Sequence, residues 1–181
     1  EHFQGSYPLF VKPANAGSSV GISKAKNGLE LFNAIRVAAE EDHKVLIEKA
    51  ISGREIEVAV LGNRHPRASL VGEILAANEF YDYDAKYINT ESKTRILDDV
   101  SEEKQEEIRQ AALTVYQAMG CRGLARVDFF LDEEETVIFN EINTLPGFTK
   151  ISMYPKLWEA TELPYRELLD TLIALAVDEM E

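Results

Sequence analysis

Two strand-length runs, Leu124–Leu131 and Thr136–Ile142, are joined by the charged turn Asp132-Glu133-Glu134-Glu135. Such a pair forms an antiparallel hairpin, and a hairpin with an apolar face needs a second layer to cover it. In Glu55–Leu61, Ile56, Val58 and Val60 alternate with Glu57, Ala59 and Leu61; this predicts a half-buried strand, with Ala68–Leu75 as its pair. Helical spacing lies outside these runs. Asn27 with Glu30 three residues on predicts a helix start, and Leu29, Phe32, Ile35 and Ala39 its buried stripe. Ser101 caps a second helix with an acidic first turn, Ile108, Ala111, Ala112, Val115, Tyr116 and Met119 on one face, and Gly120 as its stop. A final helix is expected to bury Leu168, Leu169, Leu172, Ile173, Ala176 and Val177.

Near the start, Leu9–Lys12 and Val20–Lys24 read as strands flanking the segment Pro13-Ala14-Asn15-Ala16-Gly17-Ser18-Ser19, and Val45–Lys49 as a third, broken by Ser52-Gly53. The chain opens almost at once into the apolar run Tyr7–Val11, which suggests a piece of a longer protein. Ala76–Asp99 is polar, aromatic-rich and without period, the pattern of a functional lid.

Charge narrows the classes of partner. With 19 Lys+Arg against 32 Asp+Glu, the net charge of -13 repels nucleic-acid backbones and anionic lipid, so neither nucleic acid nor membrane is expected as a partner. One cysteine, Cys121, allows no internal disulfide and no cysteine cage, which fits a cytoplasmic setting.

Three constellations can carry chemistry. On the hairpin, Arg126 and Asp128 share a strand face, as do Glu141 and Asn143 on the return, and the short turn sets Asp128 across from Glu141. Two carboxylates and an amide oxygen beside an arginine form a hard-oxygen set suited to Mg²⁺. The plain alternative is a solvated polar face. The next segment, Asn143-Thr144-Leu145-Pro146-Gly147-Phe148-Thr149, leaves the strand into a Pro-Gly turn whose amides suit a developing oxyanion. Second, Gly17, Ser18, Ser19 and Gly21 allow backbone to approach phosphate, with Lys12 and Lys86 as positive charges; alone, the segment equally fits a flexible hairpin loop. Third, Glu48-Lys49-Ala50-Ile51 leads to Glu55: a strand end for an adenine edge and a carboxylate for ribose, or a charged strand exit. No P-loop, dinucleotide fingerprint or serine-hydrolase elbow is present, and the histidines lack metal-ligand spacing.

In this order the strings Phe10-Val11-Lys12-Pro13, Gly17-Ser18-Ser19-Val20-Gly21, Tyr83-Asp84-Ala85-Lys86-Tyr87, Ala125-Arg126-Val127-Asp128 and Asn140–Gly147 resemble the ATP-grasp fold, and within it the D-alanine–D-alanine ligase family, from about Tyr7 to about Val177. The resemblance implies two α+β lobes with antiparallel sheets gripping ATP, a partial small lobe at 7–52 and a large one at 53–181 with a lid at 76–99. It implies that Lys12 and Lys86 contact ATP phosphates, Glu48, Lys49 and Ile51 the adenine, and Glu55 the ribose. Asp128, Glu141 and Asn143 would hold two Mg²⁺ ions, with Mn²⁺ as a substitute. Arg126 and the Gly147 amide would stabilise the oxyanion, Ser152 would bind the second substrate's carboxylate, and Ser18 with Tyr87 would link the glycine-rich loop to the lid.

The implied reaction joins two D-alanines through an acyl phosphate for peptidoglycan synthesis, with ATP and D-alanine as partners. The resemblance leaves a homodimer open for the full-length protein. Alternatives are another ATP-grasp carboxylate–amine ligase, a D-alanine–D-lactate ligase, or a non-catalytic nucleotide-binding fragment. Two departures stand out: the family's N-terminal region is missing, implying a truncated form, and Arg95–Val100 replaces the usual proline-alanine step after the lid.

Overall fold

The structure is a computed structural model that describes residues 7–17, 19–75, 93–149 and 151–178. The chain divides into two compact units, the first ending at Ser52, the second built from Gly53–Leu75 and the chain from Lys93 onward.

The first unit holds β1 (Leu9–Pro13), β2 (Ser23–Ala25), α1 (Gly28–Glu41) and β3 (Val45–Lys49), with sheet order β2-β1-β3 and antiparallel pairing throughout. Asn27 caps α1 as its spacing predicts: its side-chain oxygen accepts from the amides of Leu29 and Glu30, and its amide group donates to Glu30 at 2.7 Å. The buried face of α1 differs from the expected stripe. Ala34 and Ala38 are buried on Val11, flanked by Leu31, Ile35, Val45 and Ile47, whereas Leu29 and Phe32 are 72% and 60% exposed and Ala39 also faces out. Two alanines set the seam because their small side chains let the helix lie close to a narrow sheet; the larger residues are one position out of phase with it. β2 starts three residues later than expected. Ser19 and Gly21 take left-handed backbone, φ 62° and 71°, and the amides of Val20 and Ile22 turn back to the carbonyls of Gly17 and Ser19. A Cβ at Gly21 would also press on Pro13 and Glu41.

The second unit contains β4 (Arg54–Leu61), β5 (Arg67–Leu75), β6 (Lys93–Ile96), α2 (Glu102–Ala118), β7 (Leu124–Leu131), β8 (Val137–Asn143), α3 (Met153–Ala160) and α4 (Tyr165–Asp178). Its antiparallel sheet has order β6-β5-β4-β7-β8. β4 is buried on both faces rather than one. Ile56, Val58 and Val60 pack with Val127, Phe129 and Leu131 against Ile108, Ala112 and Tyr116 of α2. Ala59 and Leu61 instead meet Tyr154, Leu157 and Trp158 of α3 and Leu168 of α4. Burying each of these larger side chains contributes roughly 1.5–3 kcal/mol. Gly72 allows the close approach of α3, since a Cβ there would lie 2.8 Å from Leu157 and 3.0 Å from Met153.

Further differences from the expected pattern arise from packing. Residues 93–96 of the expected lid form β6, paired with β5; the part of that segment up to residue 92 lies outside the described residues. α3 is not expected from its sequence, which has Pro155 in the first turn. Proline is tolerated there because first-turn amides have no intrahelical acceptor. On α4 only Leu168 is fully buried and Leu172 partly so, while Leu169, Ile173, Ala176 and Val177 face outward. On α2, Ser101 accepts from the Lys104 amide as expected, but Met119 is 64% exposed. Among the described residues no helix is long and apolar enough to cross a membrane.

Candidate functional site

The register of the large sheet assembles a polar cluster on the face that carries α3. Glu57, Asp128 and Glu141 lie directly opposite one another across β4, β7 and β8, and Arg126 lies opposite Asn143 one step along. Next to the Asp128 row, on the side away from Arg126 and Asn143, β8 is irregular: Phe129 pairs with Phe139 and Asp128 with Glu141, leaving Asn140 as the extra residue. A bulge of this kind re-aims the side chains beyond it, here bringing Glu141 and Asn143 to the face of Asp128 and Arg126.

Residues two apart on a strand share a face, so the long Arg126 side chain reaches along β7 to the short Asp128. Its Nε donates to Oδ1 at 2.8 Å and its Nη2 to Oδ2 at 2.6 Å, a bidentate ion pair. Glu57 Oε1 stands 3.2 Å from the same Nε. All three side chains are largely buried, 18%, 11% and 9% exposed for Arg126, Asp128 and Glu57. Burial alone would lower the guanidinium's pKa, but the hydrogen bonds to Asp128 and the charges of Asp128, Glu57 and Glu141 hold it above the ordinary arginine value. Arg126 is a fixed positive charge within a field of carboxylates.

After β8 the chain makes a short polar turn in which Asn143 Oδ1 accepts the Leu145 amide at 3.1 Å. Pro146 is buried and Gly147 exposed. Ser152 sits at the start of α3, yet its hydroxyl makes no cap bond to the helix. It turns back to accept the Thr149 amide at 3.0 Å and pairs with the Thr149 hydroxyl at 2.9 Å. A Cβ at Gly147 would lie 3.0 Å from Ser152 Oγ, so the fold brings these two candidate residues together.

In the first unit, Lys12 and Glu48 share one face of adjacent strands and form an ion pair at 2.8 Å. Lys49, opposite Leu9, points to the other face, so it reaches this pair only through backbone. Ile51 is partly buried just beyond β3. Glu55 lies in the second unit, on the face of Glu57 and opposite Ile74 and Phe130. Ser18, Lys86 and Tyr87 lie outside the described residues. Asn15 ties the glycine-rich segment to the helix end, its amide and side chain both bonding Asp42, at 2.9 and 2.6 Å.

Two residues of the site are missing from the sequence-based set. Glu57 had a visible signal, a second carboxylate two residues past Glu55 and set between Ile56 and Val58; Thr149 had none beyond its spacing of three from Ser152. Among the described residues no three His, Cys, Asp or Glu gather closely enough to hold a metal, so a cation site here depends on Asp128, Glu141 and the Asn143 amide oxygen. That donor set is all oxygen, which fits Mg²⁺ when water or phosphate completes the shell. Cys121 is buried, and burial pushes its thiol pKa up, away from nucleophilic chemistry.

The chain is similar in sequence and in fold to known ligases. The D-ala D-ala ligase C-terminus model matches residues 2–174. D-alanine–D-alanine ligase B of Clostridium tetani is 57% identical over 95% of this chain and 48% of its own length. The D-alanine–D-alanine ligase of Acetivibrio thermocellus is 58% identical over 95% of this chain and 46% of its own. The solved D-alanine–D-alanine ligase of Coxiella burnetii superposes with a TM-score of 0.86 at 42% identity, over 98% of this chain and 47% of that one. A VanG D-Ala:D-Ser ligase from Enterococcus faecalis gives 0.84 at 40% identity, covering 96% of this chain and 51% of that one. This chain thus spans about half the length of the curated relatives it matches. With its α+β sheets, the in-register cluster on β4, β7 and β8 and a family model that covers nearly all of its length, the chain belongs to the D-alanine–D-alanine ligase C-terminal family.

Proposed function

We propose that this chain is the ATP-grasp portion of a D-alanine–D-alanine ligase, which activates one D-alanine as an acyl phosphate with ATP and joins it to a second. The observation that carries the reading is the register of Arg126, Asp128, Glu141 and Asn143, continued at once by the loop that sets Gly147 beside Ser152. The unit ending at Ser52 would be the small lobe, and the unit from Gly53 the large one. Asp128, Glu141 and Asn143 would hold divalent cations, two Mg²⁺ ions with Mn²⁺ as a substitute, whose chemistry is to neutralise phosphoryl charge.

The chain's own residues supply the rest. Lys12, held by Glu48, would face ATP phosphate, with Lys86 as a second contact; the strand end at Glu48, Lys49 and Ile51 would take adenine and Glu55 the ribose. Arg126 is charged at every working pH and would stabilise the oxyanion formed when the amine attacks, together with the Gly147 amide. The Ser152 hydroxyl, turned off its helix and beside Gly147, would receive the acceptor's carboxylate. Ser18 and Tyr87 would close the glycine-rich loop on the segment around residue 87. No protein nucleophile is needed, in keeping with a buried, inert Cys121. The reaction belongs to the synthesis of peptidoglycan precursors, in the cytoplasm. Similarity to a D-Ala:D-Ser ligase makes the acceptor the point to test.

The test is ADP formation from ATP with Mg²⁺ and D-alanine, D-serine or D-lactate as acceptor, on this chain and on a version extended to its relatives' length. The extended protein is expected to turn over with D-alanine, and E141Q to cost at least about a hundredfold in rate. Turnover with D-serine or D-lactate alone would overturn the acceptor, and an unaltered E141Q would overturn the metal site.

A further inference from the structure

We propose that Glu57 is a positioning residue for Arg126: it keeps the guanidinium in place when the Asp128 oxygens engage a divalent cation. The inference rests on the reading of Asp128 as a metal ligand and extends it to a residue of the cluster that has no role in that reading.

The geometry behind it is a competition for one N–H. Arg126 Nε donates to Asp128 Oδ1 at 2.8 Å while Glu57 Oε1 stands 3.2 Å from the same nitrogen. A single N–H cannot serve both acceptors fully, and the shorter contact holds it. The bidentate guanidinium already takes one lone pair on each Asp128 oxygen, and a cation on the remaining pairs would sit close enough to it for the like charges to repel. Metal binding therefore weakens the Arg126–Asp128 pair, and a buried guanidinium that loses part of its partner incurs a desolvation penalty. Glu57 offers a partner without backbone motion. It lies directly opposite Asp128 on the neighbouring strand, is itself 9% exposed, and needs only a few tenths of an ångström to become the principal acceptor. The Gly72 position opposite Glu57 on β5 adds no side chain to that row. The exchange leaves Arg126 charged and aimed from the same strand, with Asp128 released.

The experiment has two arms on this chain. In the first, Mn²⁺ affinity is measured by the free-ion paramagnetic signal for the wild type, Glu57→Met, Glu57→Gln and Asp128→Asn, and for Glu57→Met combined with Arg126→Met. Glu57→Met is expected to weaken Mn²⁺ binding about tenfold, as for other residues that support metal ligands indirectly, and Glu57→Gln, which retains an acceptor, by less. In the Arg126→Met background the same substitution is expected to cost under about twofold, because no guanidinium remains to be rehoused. Equal losses for Met and Gln, repeated in the Arg126→Met background, would show that Glu57 acts by charge alone and overturn the proposal.

In the second arm, the Arg126 Nε–H resonance is monitored by NMR as Mg²⁺ is added. It should stay protected from solvent exchange in the wild type and lose about tenfold of its protection in Glu57→Met. Equal protection in both proteins would overturn the proposal, and this arm decides alone should Arg126→Met not fold. An Asp128→Asn variant that binds Mn²⁺ as tightly as the wild type would instead remove the metal reading on which the proposal stands.

Discussion

Removing the Glu73 carboxylate as E73Q should destabilise the second unit by about 2 kcal/mol, and the size of the effect can be worked from its surroundings. Glu73 is 4% exposed on β5. It accepts from Arg54 Nε and Nη2 at 2.7 and 2.8 Å and from Arg95 Nε at 2.6 Å, and both arginines also reach Asp99, at 2.6 and 2.7 Å. One buried carboxylate thus holds two guanidinium groups together. Breaking a fully buried pair costs about 3–5 kcal/mol, but Arg54 and Arg95 are 31% and 37% exposed and Asp99 remains, so water and the second carboxylate reduce the loss to about half.

Trp158, the chain's one tryptophan, is buried in the same unit and reports its unfolding. With a urea slope of about 1.5–2 kcal/mol/M, E73Q should lower the midpoint at pH 7 by about 1 M. The two arginines hold the Glu73 pKa below the ordinary carboxylate range against the opposing effect of burial. A depressed folded pKa contributes stability above the unfolded value, about 4.3, and loses it as pH falls through the folded one. The gap between wild type and E73Q should therefore be constant from pH 8 to about 5 and narrow below about 4.3. A gap under about 0.3 M at pH 7, or one that persists unchanged into acid, would refute the reasoning.

Two other expectations concern the frame around the site. Gly53→Ala would place its Cβ 2.5 Å from the Leu131 carbonyl oxygen, and backbone cannot yield as a side chain can, so a loss above about 2 kcal/mol is expected in the same urea assay. Tyr116→Phe strips the Gly62 carbonyl of a 2.7 Å buried hydrogen bond and should cost about 1–3 kcal/mol. Burial pushes the phenols of both Tyr116 and Tyr154 well above an ordinary tyrosine, so absorbance titration of the folded wild type should show these two failing to ionise near pH 10, and Tyr116→Phe a deficit smaller by one.

Local pattern alone determined a good deal of this protein. Period-two alternation put Arg126 with Asp128 on one strand and Glu141 with Asn143 on the next, because strand geometry assigns faces by parity, whereas the bulge at Asn140 set Glu141 rather than Asn140 opposite Asp128. The caps at Asn27 and Ser101 were legible for a similar reason: a cap bonds amides two or three residues away and needs nothing distant. The family strings carried the ligase reading to the same hairpin. Tertiary structure decided what depends on a partner far along the chain. Whether Glu57 faced water or a guanidinium turned on β7 docking beside β4, and β4 was buried on both faces only because α2 and α3 cover opposite sides of one sheet. Residues 93–96 became a strand because β5 and the Glu73 carboxylate were there to receive them, though their own sequence is polar. On α1 the buried seam ran along Ala34 and Ala38 rather than the larger Leu29 and Phe32. Hydrophobicity says that a helix has an inner side, but the distance and shape of the surface it meets choose which residues fill it.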